Sequence, residues 1–232
     1  MSRRVLGVIP ARGGSKGIPG KNVTSVAGRP LLAYTADAVR GSQRLTRTIV
    51  STDDELIART ARELNLDVPF MRPDALAGDA VPMLPVLQHA LGAMRELGFD
   101  AETVVLLQPT SPLRRAEHID AAIDLLQVSG AESVVSVIEV PHQFNPVSVL
   151  SMEGDRLRPY AEGAPARRQD KPQVFARNGP AVLAVRADVI AGGSLYGSDS
   201  RPLMMSPDDS IDVDSPFELH LVELLLRDRN RK

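Results

Sequence analysis

The chain has 232 residues, of which 43% are hydrophobic and 24% charged, with no cysteine and a formal net charge of -2. This composition is typical of a folded globular protein, and the lack of cysteine excludes disulfide scaffolds, thiol catalysis and cysteine-ligated metal sites. The near-neutral charge and the 3% aromatic content argue against a nucleic-acid partner. No apolar run reaches the about 20 residues of a transmembrane helix, so we expect no membrane contact and a cytoplasmic location.

Short apolar runs alternate with longer amphipathic segments along most of the chain. Strands are predicted at residues 5–9, 48–51, 103–107, 133–140, 174–176 and 181–185. Helices are predicted at residues 31–39, 84–97 and 116–127, and two more after the capping residues Thr52 and Ser215. This alternation predicts a single α/β domain over residues 1–232, with a mainly parallel sheet and helices on both of its faces.

Residues 141–172 interrupt the alternation. They are rich in proline, glycine, arginine and aspartate and contain one short apolar run at residues 147–150. Stretches of more than about 15 residues without secondary structure are uncommon in compact domains unless they are functional. We interpret the segment as an insertion, either a plain surface excursion or a flap or dimerisation arm.

The most informative segment is the loop after the first predicted strand, RGGSKGIPGKN at residues 12–22. Its four glycines let the backbone approach a ligand and direct N–H groups toward it. Arg12, Lys16 and Lys21 add three cations, which together with backbone donors suit a polyphosphate. The loop follows the carboxyl end of a strand, where open α/β sheets bind their ligands.

Two familiar phosphate-binding motifs do not fit this loop. A P-loop would need glycine where Ser15 stands and a hydroxyl where Asn22 stands. The G-x-G-x-x-G spacing of a dinucleotide site is also missing. The remaining alternative is a flexible glycine loop with solvated charges.

Two carboxylates, Asp212 and Asp214, precede the last predicted helix. In an extended segment, residues i and i+2 share a face, so the two side chains should project together. Such a pair suits Mg²⁺, which typically takes one or two carboxylates plus substrate phosphates and water. The alternative is an acidic turn that the helix dipole favours. The preceding Asp208 and Asp209 are expected to be solvated turn residues.

A third motif, QPTSPLR at residues 108–114, follows the strand predicted at residues 103–107. Gln108 offers both an amide donor and an acceptor at the carboxyl end of a strand, which is a natural recognition position. The two prolines of the motif make the loop rigid. Ser111 has a helix-capping role as its alternative.

Together, IPARGGSKGIPGKN at residues 9–22, QPTSPLR and the acidic pair resemble the motifs of the acylneuraminate cytidylyltransferases, also called CMP-sialic acid synthetases. The motifs stand in the family's order, and the resemblance covers nearly the whole chain. It implies a nucleotide-diphospho-sugar transferase-like, Rossmann-like fold, CTP as a substrate, Mg²⁺ as the cofactor and a homodimer. Residues 141–172 would be the arm that reaches the partner's active site.

The resemblance also implies roles for single residues. The catalytic residues would be Arg12, Lys21 and Asp214, and the metal ligands Asp212 and Asp214. The substrate-binding residues would be Gly13, Gly14, Ser15, Lys16, Asn22, Arg72, Gln108 and Arg168. Among these, Arg72 would serve CTP, while Gln108 and Arg168 would contact the acidic sugar.

The chain departs from the sialic-acid members in the segment that follows the insertion. Residues 176–180 read ARNGP where those members often have RPNGA, and Val182 stands where a tyrosine is common. We therefore expect an altered acceptor pocket. N-acetylneuraminate should be a poorer acceptor than a related nonulosonic acid, such as a legionaminic-type sugar.

The expected function is transfer of CMP from CTP to a nine-carbon 2-keto sugar acid, with release of pyrophosphate. One alternative is a cytidylyltransferase for another acidic sugar, such as Kdo. Another is a CTP-binding regulatory protein without turnover.

Overall fold

The computed structural model describes residues 4–15, 17–161, 163 and 167–229. Its strands are β1 (Val5–Pro10), β2 (Ser25–Val26), β3 (Arg29–Pro30), β4 (Arg47–Ser51), β5 (Thr103–Leu106), β6 (Ser133–Glu139), β7 (Leu150–Glu153), β8 (Arg156–Pro159), β9 (Phe175–Arg177), β10 (Leu183–Arg186) and β11 (Ser200–Met204). Its α-helices are α1 (Leu31–Gly41), α2 (Glu55–Glu63), α3 (Met83–Glu96), α4 (Ala116–Ser129), α5 (Ala187–Ala191) and α6 (Pro216–Arg229). Short 3₁₀ turns lie at Lys21–Val23, Asp74–Leu76, Arg168–Asp170 and Pro207–Asp209.

The central sheet has the strand order β11-β6-β10-β5-β1-β4, with β9 paired to β6. Strands β1, β4, β5, β6 and β11 run in one direction, while β9 and β10 run in the other. The predicted mainly parallel sheet is therefore confirmed. Strand β10 is antiparallel because the chain returns from β6 through the insertion and β9, without the helical crossover that a parallel return requires.

Helices cover both faces of the sheet, as predicted. Val5 and Ile9 of β1 pack with α1, α2 and α4, whereas Leu6 and Val8 pack with α3 and α5. Successive side chains of a strand point to opposite faces, so a continuous apolar strand serves both cores. Within the described residues, no helix is long and apolar enough to cross a membrane.

A third, smaller apolar cluster lies at the carboxyl edge of the sheet. Ile18 from the glycine loop packs there with Leu31, Leu113, Val213 and Val222. The cluster therefore joins the glycine loop, the start of α1, the QPTSPLR loop, the acidic segment and α6. Because its members come from all three sequence motifs, this cluster holds the motifs next to one another.

The sequence predicts caps for α2 and α6, and only the second prediction is confirmed. The cap of α2 is Asp54, whose carboxylate accepts from Ile57 N at 2.9 Å, so the prediction of Thr52 as the cap is wrong. Thr52 instead accepts from Asp54 N at 3.1 Å, which orients the true cap. At α6, the predicted pairing is confirmed, since Ser215 N donates to Glu218 Oε2 at 2.8 Å.

The insertion at residues 141–172 contains the antiparallel hairpin β7–β8 and the 3₁₀ turn Arg168–Asp170. Its ends are joined by Asn145, a buried side chain whose Nδ2 donates to Pro172 O at 2.8 Å. An ordered hairpin is compatible with a surface excursion and with a dimerisation arm, so the arm stays a prediction. Leu150, Met152 and Leu157 of the hairpin are all more than half exposed.

Asp209 is not the solvated turn residue that the sequence predicts. Its side chain is only 9% exposed, and Oδ2 accepts from Arg115 at 3.1 Å and from Ser206 Oγ at 2.9 Å. Its Oδ1 accepts from Arg229 at 2.6 Å, and His118 Nε2 lies 3.6 Å from Oδ2. The carboxylate thus joins α4 and α6 to the segment that leads into the acidic pair.

We expect Asp209→Ala to lower the free energy of unfolding by about 2–4 kcal/mol, because two guanidinium groups lose a buried partner. Asp208→Ala is the matched control, since Asp208 is exposed and should change stability by less than about 0.5 kcal/mol. Urea denaturation of both variants measures the difference. Equal stabilities would show that the Asp209 network contributes nothing.

Candidate nucleotide-binding site

A cleft of about 310 Å³ opens at the carboxyl ends of β1 and β5. Among the described residues, the predicted site residues that line it are Arg12, Ser15, Lys21, Asn22, Arg72, Gln108 and Asp214. Those in the loops after β1 and β5 meet because the two neighbouring strands are parallel, so these loops share one edge of the sheet. Lys16, which was also predicted to bind phosphate, lies outside the described residues.

The glycine loop is shaped by close contacts with the rest of the chain. The N–H of Gly13 donates to Asp53 Oδ1 at 3.2 Å, so this predicted phosphate donor is already engaged within the protein. A Cβ on Gly17 would lie 2.4 Å from the carbonyl oxygen of Asp214, which only glycine allows. Gly14 has no neighbour within 4 Å of such a position, so its predicted role in binding a phosphate stays a prediction.

Both described cations of the loop have carboxylate partners. Arg12 lies 2.5 Å from Asp79 Oδ1, and Lys21 Nζ donates to Asp214 Oδ1 at 3.1 Å and to Val213 O at 2.8 Å. The side chain of Lys21 is only 13% exposed, so water screens its charge weakly and the charge acts strongly on groups in the cleft. Asp79 is a site residue that sequence reasoning missed, because nothing near it in the chain indicates its distant partner.

Asn22 stabilises the backbone of the glycine loop. It is buried, and its Nδ2 donates to the carbonyl oxygen of Arg12 at 3.0 Å. Its amide therefore positions the backbone of Arg12.

Arg72 forms a buried wall of the cleft. Its Nε donates to Ser51 Oγ at 3.1 Å, its guanidinium also donates to the Ser51 carbonyl, and its N–H donates to Thr52 O at 2.7 Å. Burial lowers the pKa of Arg72, and the nearby Arg12 lowers it further, while Asp53 opposes both effects. Two cations so placed create a positive cleft that suits a polyphosphate.

The acidic pair projects from an extended segment that is not a strand. Val213 is fully buried, and its N–H donates to Thr110 O at 2.8 Å, so its neighbours Asp212 and Asp214 project from the opposite face of the segment. Burial raises the pKa of Asp212; a hydrogen bond with Thr110 opposes the shift, and Asp214 adds to it. The Asp214 carboxylate is 76% exposed at the cleft.

The donor set of this pair fits a hard divalent cation. Asp212 Oδ1 is buried without a hydrogen-bond partner, which leaves an oxygen available for a metal. The described part of the chain holds no group of three or more His, Cys, Asp or Glu side chains that could bind a metal. A metal held here would therefore take its remaining ligands from phosphates and water, as Mg²⁺ does.

Gln108 faces the turn at residues 178–182. Its Nε2 donates to Gly179 O at 3.2 Å, and its Oε1 lies 3.4 Å from Thr110 Oγ1. Gly179 has a φ of +112°, and a Cβ there would lie 3.3 Å from Asp212 Oδ2. Gln108, Gly179 and Asp212 thus lie side by side and form one wall, of which Gln108 lines the cleft. The signal for Gly179 in the sequence was its place between an asparagine and a proline, a common turn composition.

Two further residues lie apart from the cleft. Arg168 belongs to the insertion and lines a separate depression of about 590 Å³, together with His142 and Lys171. Arg168 does not line the cleft of its own chain, and its sugar-binding role stays a prediction. Val182 is fully buried in the core on the face of the sheet covered by α1, α2 and α4, and its part in an altered acceptor pocket stays a prediction.

An open α/β sheet with cations, a glycine loop and two carboxylates at the carboxyl ends of its strands has the site of a nucleotidyltransferase. The chain belongs to the cytidylyltransferase family, because the model of that family, described as Cytidylyltransferase, matches residues 6–178.

Individual relatives agree with this assignment. The chain is 33% identical over 224 residues to a CMP-N,N'-diacetyllegionaminic acid synthase of Legionella pneumophila, covering 96% of both chains. It is 28% identical over 234 residues to an N-acylneuraminate cytidylyltransferase of Escherichia coli, of which it spans 54%.

Solved structures show the same fold. A CMP:2-keto-3-deoxy-manno-octonic acid synthetase complexed with CTP superposes with a TM-score of 0.72 at 16% identity, over 97% of this chain and 99% of that one. A 4-diphosphocytidyl-2C-methyl-D-erythritol synthase from Anaerococcus prevotii gives 0.65 at 12% identity, over 97% of both chains. The predicted fold class and the predicted family are therefore confirmed.

We expect Gly17→Ala to lower the free energy of unfolding by about 1–3 kcal/mol, because the added methyl group meets the Asp214 backbone. Gly92→Ala is the control: it lies inside α3 with open space around it and should stabilise the chain by up to about 1 kcal/mol. Chemical denaturation of the two variants distinguishes them. Equal effects would contradict the close approach of the two segments.

Proposed function

We propose that this cytidylyltransferase transfers CMP from CTP to the anomeric hydroxyl of a sialic-acid-like 2-keto sugar acid and releases pyrophosphate. The observation that carries the proposal is the meeting of Arg12, Lys21, Asp214 and Gln108 in one cleft, with Asp212 two residues before Asp214 in the adjoining segment. The similarity to a CMP-N,N'-diacetyllegionaminic acid synthase over nearly the whole chain supports the class of acceptor. The reaction belongs in the cytoplasm, where CTP is held.

The chemistry is an in-line displacement at the α-phosphorus of CTP. The acceptor oxygen forms a bond to that phosphorus, the bond to the β-phosphate oxygen breaks, and the hydroxyl proton passes to solvent. Arg12 and Lys21 offset the charge that develops on the departing pyrophosphate. Reactions of this kind depend mostly on positioning and electrostatics, so the site needs no covalent nucleophile.

Asp212 and Asp214 would hold Mg²⁺, which when bound orients phosphates and lowers the pKa of an attacking hydroxyl. The buried, unpaired Oδ1 of Asp212 and the exposed carboxylate of Asp214 support this assignment. Lys21 keeps Asp214 directed at the cleft through their hydrogen bond of 3.1 Å.

The substrate is tested by pyrophosphate release from CTP with N,N'-diacetyllegionaminate, N-acetylneuraminate, pseudaminate and Kdo. We expect kcat/KM for the legionaminate to exceed that for N-acetylneuraminate by at least about tenfold. Residues 176–180 depart from the sialic-acid members, and an unpaired buried polar group lowers specificity by about one to two orders of magnitude. A preference for Kdo would favour that alternative acceptor. CTP binding without pyrophosphate release from any acceptor would favour a regulatory protein and refute the proposal.

The metal assignment is tested with Asp214→Asn, which removes a charge and little volume. The rate at saturating Mg²⁺ should fall by at least about 100-fold, because a metal ligand is lost. The exposed Asp208, changed to asparagine, provides the control, and its rate should stay near that of the unmodified enzyme. A near-normal rate for Asp214→Asn would remove this residue from the metal site.

We also propose that the β7–β8 hairpin is the contact between two copies of the chain. Met152 and Leu157 are paired across the two strands, so they form one apolar face, and both are exposed. Exposed apolar faces of this kind are typical of subunit contacts.

In light scattering, the unmodified chain should be a dimer, and the double change Met152→Glu with Leu157→Glu should give a monomer. Val128→Glu on α4 is the control, since Val128 is an exposed apolar residue of a different element. A monomeric unmodified chain would refute the proposed contact.

A further inference from the structure

Arg114 is a buried cation that the proposed chemistry does not use. It is the last residue of the QPTSPLR motif, it is only 3% exposed, and burial lowers its pKa to about 9. No carboxylate in the described part of the chain contributes to that shift. Burying a charge without a charged partner is costly, so a residue of this kind calls for a physical reason.

The guanidinium joins three segments that are distant in sequence. One terminal nitrogen donates to Gln108 O at 3.0 Å and to Ala181 O at 2.8 Å. The other donates to Thr35 Oγ1 of α1 at 2.7 Å. All of these acceptors are neutral, and the planar fork of an arginine reaches them together in a way that lysine or methionine does not.

Two of the three segments form the wall described above. The Gln108 loop, residues 108–113, carries the side-chain amide that donates to Gly179 O. The turn at residues 178–182 carries Gly179, which lies against Asp212. The Arg114 guanidinium bridges Gln108 O and Ala181 O and thereby sets the separation of these two segments. The third contact, to Thr35, attaches the bridge to a helix of the core.

We propose that Arg114 is a positioning residue for the acceptor sugar: it holds the Gln108 loop and the 178–182 turn at the spacing that recognition of the sugar acid requires. The inference rests on the proposed function, because it assigns the acceptor to this wall. The contacts of Arg12 and Lys21 with the rest of the cleft do not involve Arg114. Substitution of Arg114 should therefore lower kcat/KM for the acceptor more than it weakens the binding of CTP.

The test compares Arg114→Lys and Arg114→Met in the full-length chain, with the exposed Arg40→Lys on α1 as the control. CTP affinity is measured by calorimetry without acceptor, and steady-state kinetics gives kcat and KM for the preferred sugar acid. Hydrogen–deuterium exchange is followed in peptides that cover residues 108–113 and 178–183.

Both Arg114 variants should lose at least about tenfold in kcat/KM for the acceptor, while the Kd for CTP changes by less than about threefold. Exchange should become faster in those two segments. The lysine variant should fail to rescue activity, because the fork and not the charge alone is required. Arg40→Lys should match the unmodified enzyme in every measurement.

Equal losses for CTP and for the acceptor would overturn the proposal, because they would indicate a general structural role. Normal kinetics in Arg114→Lys would also overturn it. If both variants fail to fold, Thr35→Val removes one bond of the bridge and should lower acceptor kcat/KM by about threefold with CTP affinity retained. An unchanged value there would contradict the proposal.

Failure of the proposed function has a different signature. In that case the unmodified chain releases no pyrophosphate with any acceptor, and the exchange measurement alone decides the role of Arg114. Faster exchange confined to the two segments would support the bridge, and unchanged exchange would overturn it.

Discussion

The site depends on the burial of a few apolar side chains beneath its charged groups. Ile18, Leu113 and Val213 come from the glycine loop, the QPTSPLR motif and the acidic segment, and all three pack in one cluster. Burying a side chain of this size stabilises a fold by about 1.5–3 kcal/mol, more than an exposed ion pair contributes. The charged residues are therefore positioned by their apolar neighbours in sequence, and their charges remain available to a ligand.

The charges themselves are balanced within the cleft. Arg12 faces Asp79, and Lys21 faces Asp214, so nucleotide phosphates must compete with carboxylates already in place. Arg72 and Arg114 have neutral hydrogen-bond acceptors instead, and burial lowers the pKa of both. The cleft thus contains two cations paired with carboxylates and one buried cation, Arg72, while Arg114 lies outside its lining.

The solved structures that share this fold do not fix the acceptor. A sugar-acid synthetase at 16% identity and a methylerythritol synthase at 12% identity share the fold, although their names describe different acceptors. Fold alone therefore leaves the acceptor open. In this chain the proposed acceptor side consists of loops, namely the Gln108 loop and the turn that contains Gly179, while the insertion lies apart. Loops carry specificity on a conserved framework because they can change without disturbing the sheet.

The sequence by itself determined what depends on near neighbours in the chain. The apolar run of β1, the periodic pattern of α1 and α4, and the positions of Arg12 and Lys21 in the glycine loop are local signals, and each lies where the sequence predicts it. Tertiary structure alone decided the features made by distant pairs. Asp209 is buried only because Arg115 and Arg229 reach it from two helices. Likewise, β10 runs antiparallel, Val182 turns into the core, and Arg168 lies apart from the cleft. The physical reason is that burial and ion pairing belong to pairs of segments, and the pattern of one segment does not encode which partner it meets.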